Sequence, residues 1–332
     1  MTDVLFLRSD DLAGLATPSD YVSAVRAGYE SHGNDGTAEP RTKLVSSEPP
    51  GMCTGYLAIL PEVGAMGGYT YAAGFGDRDA HFALPLFDAE SGELLALLDG
   101  ASMNPFKTGA TGAVGVDELA REDARRCAVI GSGAQARGQL KATATVRAFD
   151  EVRVFSPTAE HRRAFAAEFD ERLSADVTAA ESAAAAVNDA DVVITATKAT
   201  NPVVRNAALP DGVHVTAMGQ YDRGKRELDA ATISRATYVP DLRERASQDA
   251  GSFLAAREAG AVGGDHIHAE LGEVVAGHRP GRTSPDEVTV FDSGGTGVET
   301  VAAAWMLYER AKAEGLGEVI KFAPASEALT GE

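Results

Sequence analysis

Apolar positions recur along the chain in two textures that meet near residue 120. Before it, short apolar runs at 55–60, 66–73, 82–87 and 94–98 are separated by Gly, Pro and acidic turns. That spacing predicts antiparallel strands of an α+β domain, with helices at 19–32 and 102–119. After it, apolar runs at 127–130, 152–155, 192–196, 213–217, 238–239 and 288–291 alternate with Ala-rich helical stretches. Strand–helix alternation of this kind predicts an α/β fold, a Rossmann-type doubly wound parallel sheet. A last helix, 297–314, presents Val301, Trp305 and Tyr308 on one face. It lies beyond the last strand and is expected to cross back to the first domain.

Composition narrows the function classes. The chain has 332 residues, of which 30 are basic and 49 acidic, for a net charge of −19. A field of that sign repels nucleic acid and anionic membranes, so neither is an expected partner. Only seven of the 30 basic residues are Lys. An acidic, Lys-poor surface predicts a halophilic protein, because self-repulsion is tolerated when salt shortens the Debye length to a few ångström, as at about 1 M. No apolar run is long enough to span a membrane. Residues 1–5 lack a basic region followed by an apolar stretch, so no cleaved signal is expected. Two cysteines, Cys53 and Cys127, form neither a disulfide framework nor a metal-type pair, which fits a reducing, cytoplasmic setting. Cys53 has no local His or Lys to activate it as a nucleophile.

The sharpest motif is the apolar strand ending at Ile130, followed by Gly131-Ser132-Gly133-Ala134-Gln135-Ala136 and a good helix former. In G-x-G-x-x-A, Gly131 allows the tight turn and Gly133 the close approach of backbone to a pyrophosphate. Ala136 lets the helix pack on the sheet. A helix starting near Ala134 directs free N–H groups and its positive dipole end at the phosphates. The next strand ends Val154-Phe155-Ser156-Pro157-Thr158, with no acid at its tip to hold a ribose 2′-hydroxyl. Ser156 and Thr158, with His161, Arg162 and Arg163 following, suit a 2′-phosphate better. NADP(H) is therefore expected over NAD(H).

Taken together, several stretches resemble the ornithine cyclodeaminase/μ-crystallin family, which includes archaeal-type alanine dehydrogenases and ketimine reductases. They include Pro40-Arg41-Thr42-Lys43, Leu86-Phe87-Asp88, Leu98-Asp99-Gly100, Lys107-Thr108 and the glycine turn. Further on come Gly224-Lys225-Arg226-Glu227-Leu228-Asp229, Glu270-Leu271-Gly272-Glu273 and Phe291-Asp292-Ser293-Gly294. The resemblance implies a homodimer with a substrate-binding and dimerisation domain, 1–119 plus 299–332, and an inserted NAD(P)-binding Rossmann domain, 120–298. It implies hydride transfer between the α-carbon of a small amino acid and a nicotinamide through an imine.

The same resemblance assigns roles residue by residue. Arg41 matches the arginine that clamps the substrate carboxylate, a task suited to a bidentate guanidinium fork. Lys107 stands where the family usually has Arg, keeping the charge and losing the fork, and Thr108 keeps a hydroxyl near the phosphates. Lys225 matches a lysine near the cofactor. Ala134, Gln135, Ser156, Thr197, Met218 and Ser293 fall where the family touches NAD(P). The family's catalytic lysine falls at Thr70 and its proton-donating aspartate at Tyr221, with Asp222 next. Lys43, two residues beyond Arg41 and on the same face if that segment is a strand, is the candidate to replace that lysine.

The expected function is an NAD(P)(H)-dependent oxidoreductase interconverting a small L-amino acid and its imino or oxo acid, like an alanine dehydrogenase or a ketimine reductase. The alternatives are ornithine cyclisation with catalytic NAD, and non-catalytic binding of a small molecule with NADP(H). Asp265-His266-Ile267-His268 has metal-like spacing but reads better as a polar loop, so no metal is expected. Residues 292–297, Gly-rich between a strand and a helix, form either a second phosphate nest or, preferably, a wall facing the nicotinamide.

Overall fold

The computed structural model of the chain describes residues 2–75 and 80–323. They fall into two compact units, Met1–Asn104 with Thr296–Glu332, and Pro105–Gly295.

In the first unit an eight-stranded sheet runs in the order Glu318–Phe322, Thr2–Leu7, Leu94–Asp99, Phe82–Asp88, Ala65–Ala73, Pro50–Leu60 and Thr37–Ala38, with Thr42–Ser47 also paired to Pro50–Leu60. Thr2–Leu7 and Leu94–Asp99 are parallel and the other pairs antiparallel. Two helices, Pro18–Asn34 and Gly297–Glu314, cover it. The first starts with Pro18 at N1, where its missing N–H costs nothing, and Thr17 and Asp20 form a capping box. Arg310 of the second helix pairs with Asp20 at 2.7 Å. That guanidinium and the Thr17 hydrogen bonds hold the Asp20 carboxyl well below the usual carboxylate range. This helix thus belongs to the first unit, as expected for a helix after the last strand of the parallel sheet, and the strand Glu318–Phe322, which the sequence pattern did not predict, follows it.

The second unit is a seven-stranded, all-parallel sheet. Its order is Asp176–Ala179, Glu151–Phe155, Arg126–Ile130, Val192–Thr195, His214–Ala217, Thr289–Asp292 and Thr237–Pro240. Numbered by chain order this is 3-2-1-4-5-7-6, a doubly wound sheet with its switch point between the first and fourth strands. Side chains alternate between two buried faces. Cys127, Val129, Val152, Val154, Val192 and Ile194 enter one core cluster, and Ala128, Ile130, Val193, Val215 and Val290 the other. Burial on both faces explains why these strands read as continuous apolar runs. Each Val or Ile so buried contributes about 1.5–3 kcal/mol before entropic costs.

The division between units differs from the sequence expectation of 119/120 and 298/299. The helix Asn104–Leu119 packs within the second unit. A Cβ on Gly109 would lie 2.3 Å from the Gly138 carbonyl oxygen, and one on Gly115 2.4 Å from the Phe291 ring. Small residues three apart let this helix lie directly on the helix Ala134–Thr143 and on the sheet. The boundary therefore falls at the start of the helix, between Asn104 and Pro105.

Candidate functional site

The candidate cofactor residues of the second unit converge on one edge of the parallel sheet, outside the carboxyl ends of its strands. Gly131 follows the first strand, Ser156 the second, Thr197 the fourth, Met218 the fifth and Ser293 the strand Thr289–Asp292. Gly131 has φ +124°, and a Cβ there would lie 2.4 Å from the Ala196 carbonyl oxygen. Only glycine makes this turn so close to the neighbouring loop. Gly133 is the opposite case. It is the N-cap of Ala134–Thr143, has φ −81°, and makes no side-chain cap bond, and a Cβ there would meet nothing within 4 Å. Open space over the first amides of a helix is a cradle for an anion. Ala134 is exposed beside it, and the buried side-chain oxygen of Gln135 has no hydrogen-bond partner. Ala136 is buried in the core. The residues present fit a dinucleotide pyrophosphate.

At the tip of the second strand, Ser156 is buried and its Oγ lies 2.9 Å from the Ser132 Oγ. Thr158 is exposed and caps the following helix without a side-chain bond. Arg162 is turned inward. It donates to the Ser156 carbonyl at 3.1 Å, to the Pro157 carbonyl at 3.4 Å and to Glu181 at 3.1 Å, and its guanidinium lies over Phe155. Its cation therefore sits behind the Ser156–Thr158 turn, whereas His161 and Arg163 are exposed. Thr108 is tied to the glycine-turn helix, its carbonyl accepting from Gln139 at 2.6 Å.

Beyond the fifth strand, Lys225 lies with its ammonium 5.1 Å from the centre of the Tyr221 ring. Asp222 is exposed and accepts from the Gly224 N–H at 3.0 Å, closing a local turn. Lys107, in the first turn of Asn104–Leu119, is 1 % exposed.

Loop 292–297 is not a second phosphate nest. Asp241 accepts from the Gly294 N–H at 2.7 Å and from the Gly295 N–H at 3.2 Å. The anion such a nest would bind is already supplied by the chain. The other Asp241 oxygen takes Arg245 Nε at 2.7 Å, and Arg245 Nη2 bonds Asp292 at 2.8 Å. Tyr238 donates its hydroxyl to Asp292 at 2.7 Å. This fully buried cluster fixes the loop that carries Ser293. Burial pushes the Asp292 carboxyl up, against the pull of Arg245. Sequence reading singled out Asp292 but missed its partners Tyr238, Asp241 and Arg245; a run of Asp241, Arg245 and Asp249 at helical spacing was the available signal.

In the first unit Arg41 directly precedes the strand Thr42–Ser47 and is 6 % exposed. Its guanidinium lies 5.4 Å from the Tyr56 ring centre. Lys43 is half-buried on that strand, opposite Thr54. Thr70 is exposed opposite Gly55. It lines a cleft of about 380 Å³ with Thr42, Leu44, Tyr56 and Tyr69. The two histidines of the metal-like stretch diverge: His266 is hydrogen-bonded to the Ile233 carbonyl and His268 to that of Pro280.

Comparison with known proteins sets this geometry in a family. The profile of the ornithine cyclodeaminase/mu-crystallin family matches residues 63–315. A Delta(1)-pyrroline-2-carboxylate reductase of Bacillus cereus is 36% identical over 248 residues, 74% of this chain and 76% of the relative. The structure of Thermococcus litoralis Delta(1)-pyrroline-2-carboxylate reductase, in complex with NADH and L-proline, superposes with a TM-score of 0.88 at 29% identity, covering 96% of this chain and 100% of that one. An archaeal alanine dehydrogenase dimer with bound NAD gives 0.89 at 28% identity, covering 97% and 100%. The chain belongs to the ornithine cyclodeaminase/mu-crystallin family.

Proposed function

We propose that this chain reduces the C=N bond of a small cyclic α-imino acid, using NADP(H) in preference to NAD(H). At the coarser level it is an NAD(P)-dependent oxidoreductase interconverting a small L-amino acid and its imino or oxo acid. The observation that carries the reading is the cradle, a glycine-only turn at Gly131 and an open Gly133 at the switch point of a parallel sheet.

In this reading the amides following Gly133 hold the pyrophosphate, with the helix dipole behind them. Thr108, Gln135, Thr197, Met218, Lys225 and Ser293 line the rest of the cofactor path. When bound, the cofactor supplies the hydride that adds to the imine carbon. Arg41 grips the substrate carboxylate and orients the α-carbon, which turns an encounter into a positioned reaction. Tyr221, Asp222, Lys43 and Lys107 are the groups proposed to hold and move the proton on the imine nitrogen. The preference for NADP(H) rests on the tip of the second strand. Ser156 stands there in place of an acid, with the Arg162 cation behind the turn and exposed His161 and Arg163 nearby.

A homodimer is proposed as the working form. Leu44 is 68% exposed, and Leu57 and Ile59, on the same face of the neighbouring strand, are exposed as well. An apolar sheet face of this kind is an interaction surface, and the archaeal relative is a dimer. A cytoplasmic setting stays part of the proposal, and none of the described helices is long and apolar enough to cross a membrane.

The test follows NADPH and NADH absorbance with Δ1-pyrroline-2-carboxylate and with pyruvate plus ammonia, in high salt. Conversion of ornithine to proline with catalytic NAD⁺ is assayed in parallel. Imine-dependent consumption of reduced cofactor, faster with NADPH, is the expected result. Proline formed without net reduction overturns it in favour of a lyase, and cofactor binding without turnover in favour of a binding protein.

A further inference from the structure

Glu227 is a fully buried carboxylate set where two neighbouring strands of the parallel sheet part into loops. Its Oε2 accepts from the Thr195 hydroxyl at 2.7 Å and from the Gly219 N–H at 2.7 Å, and its Oε1 accepts from the Thr197 N–H at 2.6 Å. Thr195 ends the fourth strand, and Gly219 lies two residues beyond the fifth. One side chain therefore clasps both loops.

Its own position is fixed from behind. The backbone N–H groups of Glu227 and Leu228 both donate to the Ser252 hydroxyl at 3.2 Å. The Glu227 carbonyl accepts from Val203 and Val204. The fit leaves no slack: a Cβ on Gly219 would lie 2.4 Å from Glu227 Oε1 and 2.2 Å from the Thr197 carbonyl oxygen.

The clasp reaches the cradle through one peptide. Ala196 and Thr197 are consecutive, and the Ala196 carbonyl is the atom against which Gly131 turns. Met218, the residue before Gly219, donates its N–H to the Thr195 carbonyl at 2.9 Å. A carboxylate held by a hydroxyl and two amides is costly to bury. A carbon–carbon contact would close a purely structural gap at lower cost, whereas a carboxylate fixes two amides at defined points.

We infer that Glu227 is the positioning residue of the nucleotide cradle: by holding the Thr197 and Gly219 amides on one carboxylate, it sets the loop beside the Gly131 turn and ties it to the next loop along the sheet. This inference rests on the proposed cofactor function. Glu227→Gln keeps the shape but replaces one acceptor oxygen by an NH₂ group, so one of the three donors loses its partner.

The experiment is a fluorescence titration of the full-length protein with NADPH and NADH. Thermal unfolding of the cofactor-free protein and Michaelis constants are measured beside it. Glu227→Gln is expected to raise the cofactor Kd about tenfold. The KM for the imino acid at saturating cofactor is expected to stay within about twofold. Thr195→Val, which removes only the hydroxyl donor, is expected to raise Kd about threefold. Wild-type cofactor affinity in Glu227→Gln overturns the inference, as does a parallel rise in cofactor Kd and imino-acid KM accompanied by loss of stability. Should Glu227→Gln fail to fold, wild-type affinity in a folded Thr195→Val overturns it. Failure of the wild-type protein to bind either cofactor is a separate result, and overturns the functional reading itself.

Discussion

Replacing each of the two glycines of the turn by alanine separates architecture from binding. Gly131→Ala places a Cβ 2.4 Å from a backbone oxygen at φ +124°. Holding a non-glycine residue at a backbone angle of this kind costs about 1–3 kcal/mol, and the clash adds to it. A total of about 3 kcal/mol lowers the unfolding midpoint of a unit this size by about 6–12 °C. Gly133→Ala meets nothing within 4 Å and keeps an ordinary φ of −81°. Its folded-state cost is that of alanine at an N-cap, about 1 kcal/mol or less, and so a fall of at most about 4 °C. For the cofactor the order reverses. The new methyl of Gly133→Ala stands where the pyrophosphate must approach. Losing two charge-assisted hydrogen bonds at about 1.5 kcal/mol each weakens binding about a hundredfold. Differential scanning fluorimetry and cofactor titration read both quantities on the same samples. A Gly133→Ala protein that binds NADPH as the wild type does refutes the cradle.

Arg41→Lys keeps the charge and loses the fork, so KM for the imino acid should rise by about tenfold or more with cofactor Kd unchanged; steady-state kinetics and titration check it, and unchanged KM removes Arg41 from the substrate site. His214 is buried, with its ring bonded to Thr289 and Thr216, and desolvation holds its pKa well below the usual value. The unfolded chain takes up that proton near pH 6.5 and the folded one does not, so this contribution is complete above pH 6.5 and is lost as pH falls below it. Denaturant unfolding from pH 7 to 5 should slope downward, and His214→Leu should flatten that limb. A net charge of −19 predicts an unfolding midpoint that rises from 0.1 to 2 M KCl as repulsion is screened; a flat series argues against salt adaptation.

Much of the fold is legible from short stretches because its causes are local. Val192, Val193 and Ile194 are buried on both faces, so their strand is written as an unbroken apolar run. The glycine turn is equally local, since Gly131 and Gly133 each answer to their immediate surroundings. Lys43 was placed on a strand only conditionally, and Thr42–Ser47 is one. The unit boundary was not legible by texture. Gly109, Gly112 and Gly115 mark the contact face of Asn104–Leu119, but their partners Gly138, Gln139 and Phe291 lie far along the chain.

The electrostatic supports of the site were hidden for the same reason. Asp241 meets Gly294 across more than 50 residues, and Glu227 meets Thr195 across 32. Charge spacing in one segment does not name such partners. Arg162 illustrates the limit at short range. Its position suggests a ligand for a phosphate, yet its guanidinium is engaged by the carbonyls of the turn it follows. Its contribution to cofactor choice then acts through the shape and charge of that turn.

Direct passage of one hydrogen between cofactor and α-carbon is what the whole account requires. Reduced cofactor carrying deuterium at C4 of the nicotinamide, prepared in each stereochemical form, is incubated with Δ1-pyrroline-2-carboxylate and the product read by mass spectrometry. One of the two forms is predicted to give proline bearing a single deuterium at the α-carbon. Proline without that label from either form, or no proline at all from a protein that binds the cofactor, contradicts the account.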